Sequence, residues 1–300
     1  MVLLLKIFQA LLIVLLAPLL AGIIKTAKAR LQNRRGPGIL QVYYDLSKLL
    51  LKDGVISPTV SWIFYAAPYI YFAAAVAGTL FVPVLFSTGA DFSDLFVLIY
   101  LFAVGRFFLA LASLDAGSAF GGMGGSREMY IAVLVEPALF LAMLSIAFRA
   151  DTTTLSLMSG TVYGSSFSSS YIFAAIAFFI VVIAETGRIP VDNPDTHLEL
   201  TMIHEGMVLE YSGRHLALIF WATAIKQAII ITLFVMLFLP WSIAGITLVP
   251  VNMLWLVIKV ALVALAIAFT ETSTNKMRLF KVPGLLAASY LLSLLALVSQ

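Results

Sequence analysis

The chain has 300 residues, 62% of them hydrophobic and only 11% charged, with a formal net charge of +3 and a mean hydropathy of +1.06. Soluble domains carry about 25% charged residues, so this composition specifies a polytopic helical membrane protein and excludes a water-soluble enzyme or a nucleic-acid-binding module. There is no cysteine, which excludes iron–sulfur ligation, disulfides and a thiol nucleophile within this chain.

A spanning helix needs about 20 mostly apolar residues. Eight segments qualify: 2–24, 61–86, 92–114, 128–149, 170–187, 215–239, 250–270 and 283–299, of which 170–187 is the shortest. A transmembrane β-barrel would show short alternating segments instead. The first segment has no charged residue before its apolar run and its positive cluster follows it, so it reads as a span and not as a cleaved leader.

The loop at 25–60 carries Lys25, Lys28, Arg30, Arg34, Arg35, Lys48 and Lys52. Within it, Ile39, Leu40, Val42, Tyr43, Leu46, Leu49 and Leu50 recur at helical spacing among polar residues. This pattern predicts an amphipathic interfacial helix. Ala116–Ser126 is Gly-rich but lacks the Gly-Lys-Ser/Thr ending of a phosphate loop, and is expected to be a flexible or close-packed turn. Leu155–Ser170, rich in Ser, Thr and Gly, is expected to be a solvated connection.

The loops at 25–60, 115–127, 188–214 and 271–282 carry thirteen Lys and Arg, and the opposite side carries Arg149 alone. The positive-inside rule therefore assigns these four loops to the cytoplasm. With eight spans, both termini lie outside. The chain reads as one transmembrane domain over 1–300, with no separate soluble domain.

Ionisable residues within spans are costly and mark functional sites by default. Here they are Arg106, Glu128, Glu136, Glu185, Lys226, Lys259 and Glu271, with Asp115 at a helix end. Glu128 and Glu136 lie about 80° apart around one helix and about 12 Å apart along it, so one cavity can hold both. Glu136 precedes Pro137, which frees carbonyls to hold water. Buried carboxyls of this kind suit a proton relay; ion pairing with Arg106, Lys226 or Lys259 is the structural alternative. His197, Glu199, His204 and Glu205 lack the His-Glu-x-x-His spacing of a zinc site.

The densest polar motif is Ala184-Glu-Thr-Gly-Arg-Ile-Pro-Val-Asp-Asn-Pro-Asp-Thr-His-Leu-Glu-Leu200, placed at the mouth of a span. Two other blocks stand out. One is Gln32-Asn-Arg-Arg-Gly-Pro37, followed by Leu40-Gln41, Asp45-Leu-Ser-Lys-Leu49 and Lys52-Asp53; the other is Glu210-Tyr-Ser-Gly213. Carrying these three blocks, the chain resembles the subunit 1 family of respiratory complex I and its relatives in membrane-bound NiFe hydrogenases. Only Gly38-Ile39 separates Gly36-Pro37 from Leu40-Gln41, and the stretch from Glu199-Leu200 to Glu210-Tyr211 is long. Both features resemble the membrane-anchor subunits of energy-converting hydrogenases of the formate hydrogenlyase type.

That resemblance implies an all-α membrane subunit in a prokaryotic inner membrane. It would be non-catalytic and hold no cofactor of its own. The NiFe centre and iron–sulfur clusters would sit in partners: a NiFe large subunit, a small iron–sulfur subunit and, within the bilayer, antiporter-like subunits. It implies an ion-coupling role for Asp45, Glu136, Glu185, Glu199 and Glu210, to which the charge reading adds Asp115 and Glu128. Arg34, Arg35, Arg188 and Asp192 fall on the loops that would dock the partners. The alternatives are a quinone-site subunit of a complex I-type dehydrogenase, the membrane subunit of a sulfur-reducing complex, and a stand-alone transporter, though no internal repeat supports the last.

Overall fold

The computed structural model describes residues 2–83, 93–163, 168–193, 202–239 and 249–299. Among these the chain is helical, and each of the eight expected spans carries a helix. They are α1 (Val2–Leu31), α3 (Trp62–Phe81), α4 (Leu95–Asp115), α5 (Ala119–Ala150), α7 (Ser169–Glu185), α9 (Gly213–Phe238), α10 (Val249–Ser273) and α11 (Val282–Val298). Seven of these regions are long and apolar enough to cross a membrane, α11 together with the 3-10 turn Leu279–Lys281 before it. The 17 residues of α7 span about 25 Å. This is a multi-pass membrane protein. Shorter helices are α2 (Gln41–Leu51), α6 (Leu155–Tyr163) and α8 (His204–Val208).

Helix α9 is the central pillar. It is apolar on every side and almost continuously buried from Ala222 to Phe238, the pattern of a core helix. It packs on α1, α2, α3, α7 and α10; α4 and α5 close the bundle beyond α3, and α11 fills the angle between α5 and α7. The amphipathic α2 forms where expected, and of its residues only Leu46 is fully buried.

Two expectations are corrected. The Gly-rich stretch is helical from Ala119 onward. Its glycines act by closeness, not by flexibility: a Cβ on Gly121 would strike the Ser113 carbonyl, and one on Gly124 would lie 2.8 Å from the backbone of Gly206 and Met207. Residues 155–163 form a helix and not a solvated connection, because Leu155, Ser156, Met158 and Ser159 are buried against the bundle. The Leu155 amide also donates to the Ser93 carbonyl at 2.8 Å.

Two prolines inside spans are answered by specific donors. A helical proline strips the carbonyl four residues earlier of its partner. Pro18 in α1 frees Val14, whose oxygen accepts from the Trp221 indole at 3.0 Å. Pro68 in α3 frees Phe64, whose oxygen accepts from the Tyr211 hydroxyl at 2.9 Å. The Tyr211 ring also stacks on Phe64 with centroids 4.0 Å apart. Burial, reinforced by the Asp115 carboxylate, pushes the Tyr211 phenol up from its ordinary range, so it stays a neutral donor. Tyr211→Phe should destabilise the folded chain by about 1–3 kcal/mol, the cost of an unsatisfied buried acceptor. Thermal unfolding in detergent measures this, and an unchanged transition would mean the carbonyl has another donor.

The remaining residues of the Glu210–Gly213 block explain themselves in the same way. Ser212 Oγ accepts from the Val55 amide at 2.7 Å and donates to the Val55 carbonyl at 2.8 Å. Gly213, at φ +56°, lies so close to Lys52–Gly54 that no side chain fits. The block thus pins the connection after α2 to the start of α9.

Candidate functional site

Helix α7 ends in a Schellman motif. The Gly187 amide donates to the Ala184 carbonyl at 3.1 Å and the Arg188 amide to the Ile183 carbonyl at 3.0 Å, with Gly187 at φ +59°. Glycine at this left-handed position reverses the chain directly after Glu185. The reversal buries both Glu185, the last helical residue, and Arg188, which turns back into the bundle.

Glu185 meets Arg106 of α4 and Lys226 of α9, and Arg106 in turn meets Glu128 and Glu136 of α5. The Arg106 guanidinium donates to both Glu185 oxygens at 2.5 Å and to Glu136 Oε1 at 2.7 Å; its Nε lies 3.6 Å from Glu128 Oε1. Lys226 Nζ is 2.5 Å from Glu185 Oε2. Two cations therefore face three carboxylates, leaving one net negative charge when all are ionised. One guanidinium shared by three acids on two helices can shift its bonds as any of them gains or loses a proton. Glu185, Arg106 and Lys226 are buried, but the Glu136 side chain is 37% exposed at mid-span.

A second charged group lies toward the basic-loop end. Glu271, 2% exposed near the end of α10, sits 3.7 Å from Lys28 Nζ of α1 and 3.5 Å from Arg188 Nη1. Arg188 Nη2 also donates to Gln227 Oε1 of α9 at 3.2 Å. Alongside, Lys276 Nζ donates to Asp192 Oδ1 at 2.8 Å, and the Met277 amide to the Pro190 carbonyl at 2.9 Å. The connection after α7 is thereby clasped to the connection after α10.

A cavity of about 540 Å³ extends from the Arg106 centre to Arg188, Gln227 and Asp192 of the second group. Arg106, Glu128, Glu185 and Lys226 line its inner end, Arg188 and Gln227 its flank, and Val42, Leu46 and Leu49 of α2 one wall. Exposed Lys25, Lys48 and Lys52 stand on its outer lining. Helix α8 supplies His204, Glu205 and Met207. His204 Nε2 is 3.4 Å from the Thr223 hydroxyl, which is 3.4 Å from that of Tyr71.

Of the residues singled out by sequence, Glu128, Glu136 and Glu185 come together around Arg106. Asp45 lines the cavity but is exposed on α2, accepting from Gln41 Nε2 at 2.9 Å. Asp192 lines the cavity within the clasp. Asp115 stands apart, accepting from the Ser61 amide at 2.7 Å. Glu210, Arg34 and Arg35 are exposed, and Glu199 lies outside the described residues. Sequence reasoning treated Arg106, Lys226 and Glu271 only as candidate charges and Lys28 only as a loop charge. For Arg106 and Lys226 the signal was present, a charge inside an apolar run, and Glu271 stands at the end of one. For Lys28 there was none, because α1 runs seven residues beyond the expected span. Among the described residues no group of three or more His, Asp or Glu is arranged to hold a metal ion.

With this geometry established, comparisons place the chain among known proteins. A protein-family model described as NADH dehydrogenase matches residues 4–299. Formate hydrogenlyase subunit 4 of Escherichia coli (strain K12) is 36% identical over 301 residues, 97% of this chain and 96% of its own length. Hydrogenase-4 component C of the same organism is 38% identical over 238 residues, 78% of this chain and 74% of its own length. An NADH-quinone oxidoreductase subunit of Rubrobacter xylanophilus is 31% identical, covering 82% of this chain and 77% of its own length. Among solved structures, a chain of the membrane-bound sulfane sulfur reductase, an archaeal respiratory membrane complex, superposes with a TM-score of 0.81 at 19% identity, covering 98% of this chain and 99% of that one. At that identity the likeness speaks for the fold alone.

Proposed function

Because this chain belongs to the complex I subunit 1 (NADH dehydrogenase) family, we propose that it is the membrane-anchor and coupling subunit of a multisubunit membrane-bound NiFe hydrogenase. Its full-length likeness to formate hydrogenlyase subunit 4 supports the hydrogenase branch. In this reading the NiFe centre and iron–sulfur clusters belong to soluble partners that dock on the basic, cytoplasmic side, through Arg34, Arg35 and the Arg188–Asp192 connection. Both termini lie outside.

The observation that carries the coupling role is the Arg106 centre. It faces the cavity through Glu128 and Glu185, and its third carboxylate, Glu136, reaches the outer surface of the bundle. A carboxylate at mid-span is costly against acyl chains, so we assign this face to a neighbouring antiporter-like membrane subunit. A charge change near the cavity alters the protonation of Glu185 or Glu128. Arg106 then redistributes its bonds, and Glu136 passes the proton or sodium ion onward. Glu199 and Glu210 belong to the same proposed pathway on the strength of the family motif.

Glu136→Gln tests this directly. Hydrogen evolution by the purified complex in detergent should persist, while ion pumping by the same complex in vesicles should fall at least tenfold. Pumping at the wild-type rate would remove Glu136 from the pathway. The second reading, a quinone-site subunit, draws on the partly apolar cavity behind α2, but the short Gly38-Ile39 segment leaves less chain beside that cavity. Mass spectrometry of the proteins that co-purify in mild detergent separates the readings. A large subunit with paired Cys-x-x-Cys motifs supports the hydrogenase; one lacking them redirects the assignment to quinone or sulfur chemistry.

A further inference from the structure

Among the described residues, Glu271 differs from the other buried acids, Glu185 and Asp192, which both accept hydrogen bonds. Glu185 has its carboxylate held by hydrogen bonds. Both oxygens of Glu271 are buried and accept none, although Lys28 and Arg188 stand within ion-pair range. Arg188, which faces Glu271, and its partner Gln227 carry buried donors without acceptors, Nε and Nε2. Two open acceptors on Glu271 and two open donors on the adjoining Arg188 and Gln227 mark a path suited to water, since buried polar groups are satisfied by protein or by ordered water. An ion pair separated by 3.5–3.7 Å is the spacing at which a bridging water is to be sought.

The position is equally specific. Glu271 is two residues from the end of α10, where Ser273, Thr274 and Asn275 are exposed. On its other side Arg188 and Gln227 line the cavity that reaches Glu185. Glu271 therefore lies between the basic-loop surface and the interior charge centre.

We propose that Glu271 is a proton-loading site: it takes a proton from water at the end of α10 and passes it, through water held by Arg188 and Gln227, to the cavity and the Glu185 centre. This inference rests on the coupling reading above and adds to it the side from which protons arrive. The step moves one proton onto a carboxylate oxygen and off again, with no change of oxidation state. The charged groups facing it are Lys28 from α1 and Arg188 from the connection after α7, with Lys226 one residue before Gln227 on α9.

The test uses the whole complex in vesicles. Glu271→Gln should lower the initial pumping rate at least tenfold while hydrogen evolution in detergent is retained, and Glu271→Asp should restore more than half of the pumping. If Glu271→Gln fails to assemble, the double variant Lys28→Met/Glu271→Gln removes one charge of each sign, and the same pumping defect is expected. Glu136→Gln, measured alongside, separates two failures. If Glu136→Gln abolishes pumping and the assembled Glu271 variants pump normally, the loading site is overturned and the coupling reading stands. If none of them affects pumping, both are overturned. Carrier activity also predicts that a permeant weak acid such as azide raises pumping by Glu271→Gln several-fold, which a merely structural role would not produce.

Discussion

Glu185→Gln should leave the complex far less stable than the wild type. The carboxylate it removes is buried and is held by Arg106 and Lys226 at 2.5 Å. Arg106 keeps Glu128 and Glu136. Lys226 is left in the bundle interior with the Phe102 ring, 5.8 Å away. Breaking a buried pair by removing one partner destabilises by about 3–5 kcal/mol, against a total folding stability of about 5–15 kcal/mol. The melting temperature of the purified complex in detergent should therefore drop sharply. The double variant Glu185→Gln/Lys226→Met removes one charge of each sign, so it should recover much of the stability but none of the ion pumping. A single variant that melts like the wild type would show that another group compensates Lys226.

Gly124→Val should dislodge helix α8. A Cβ at Gly124 would stand 2.8 Å from Gly206 C and Met207 N and 2.9 Å from Ile203 O, all main-chain atoms that cannot rotate away. The branched side chain adds two more carbons in the same gap, and overpacking of this kind costs about 1–3 kcal/mol or more. Since α8 carries His204, Glu205 and Met207 on the cavity wall, the effect should reach function as well as stability. The chain has no cysteine, so a Val208→Cys reporter reads the movement cleanly. Val208 is buried; the reporter should resist a maleimide in the parent chain and react rapidly beside Gly124→Val. Equal protection in both would show that α8 stays in place.

The spans were legible in the sequence because lipid demands about 20 apolar residues and permits little else. What the sequence concealed was proximity. The glycines at 121, 124 and 125 invite a loop when read one by one, yet they mark where α5 touches Ser113 and α8. Leu155–Tyr163 is polar enough to look solvated, and only contacts of Leu155, Ser156, Met158 and Ser159 with the bundle give it a buried face. The charges at 106, 128, 136, 185 and 226 were each visible as anomalies. Only the relation between Glu128 and Glu136, on one helix, followed from spacing. That a single arginine gathers three acids from two other helices is a property of packing. The polar motif after α7 announced itself by composition; that Gly187 would end the helix and Arg188 turn inward to meet α10 was not read from it.

The two prolines and their donors carry a consequence for how the protein is made. Val14 and Phe64 lie in the first two spans to emerge from the ribosome, whereas Tyr211 lies just before the sixth and Trp221 within it. During synthesis, then, α1 and α3 enter the bilayer with carbonyls whose partners do not yet exist, in a medium where such groups are penalised by several kcal/mol. The early helices are placed before they are completed. Only when the last third of the chain arrives does the first third gain these partners, so a nascent chain halted after α7 would present the membrane's quality-control proteases with spans that are inserted but not yet locked.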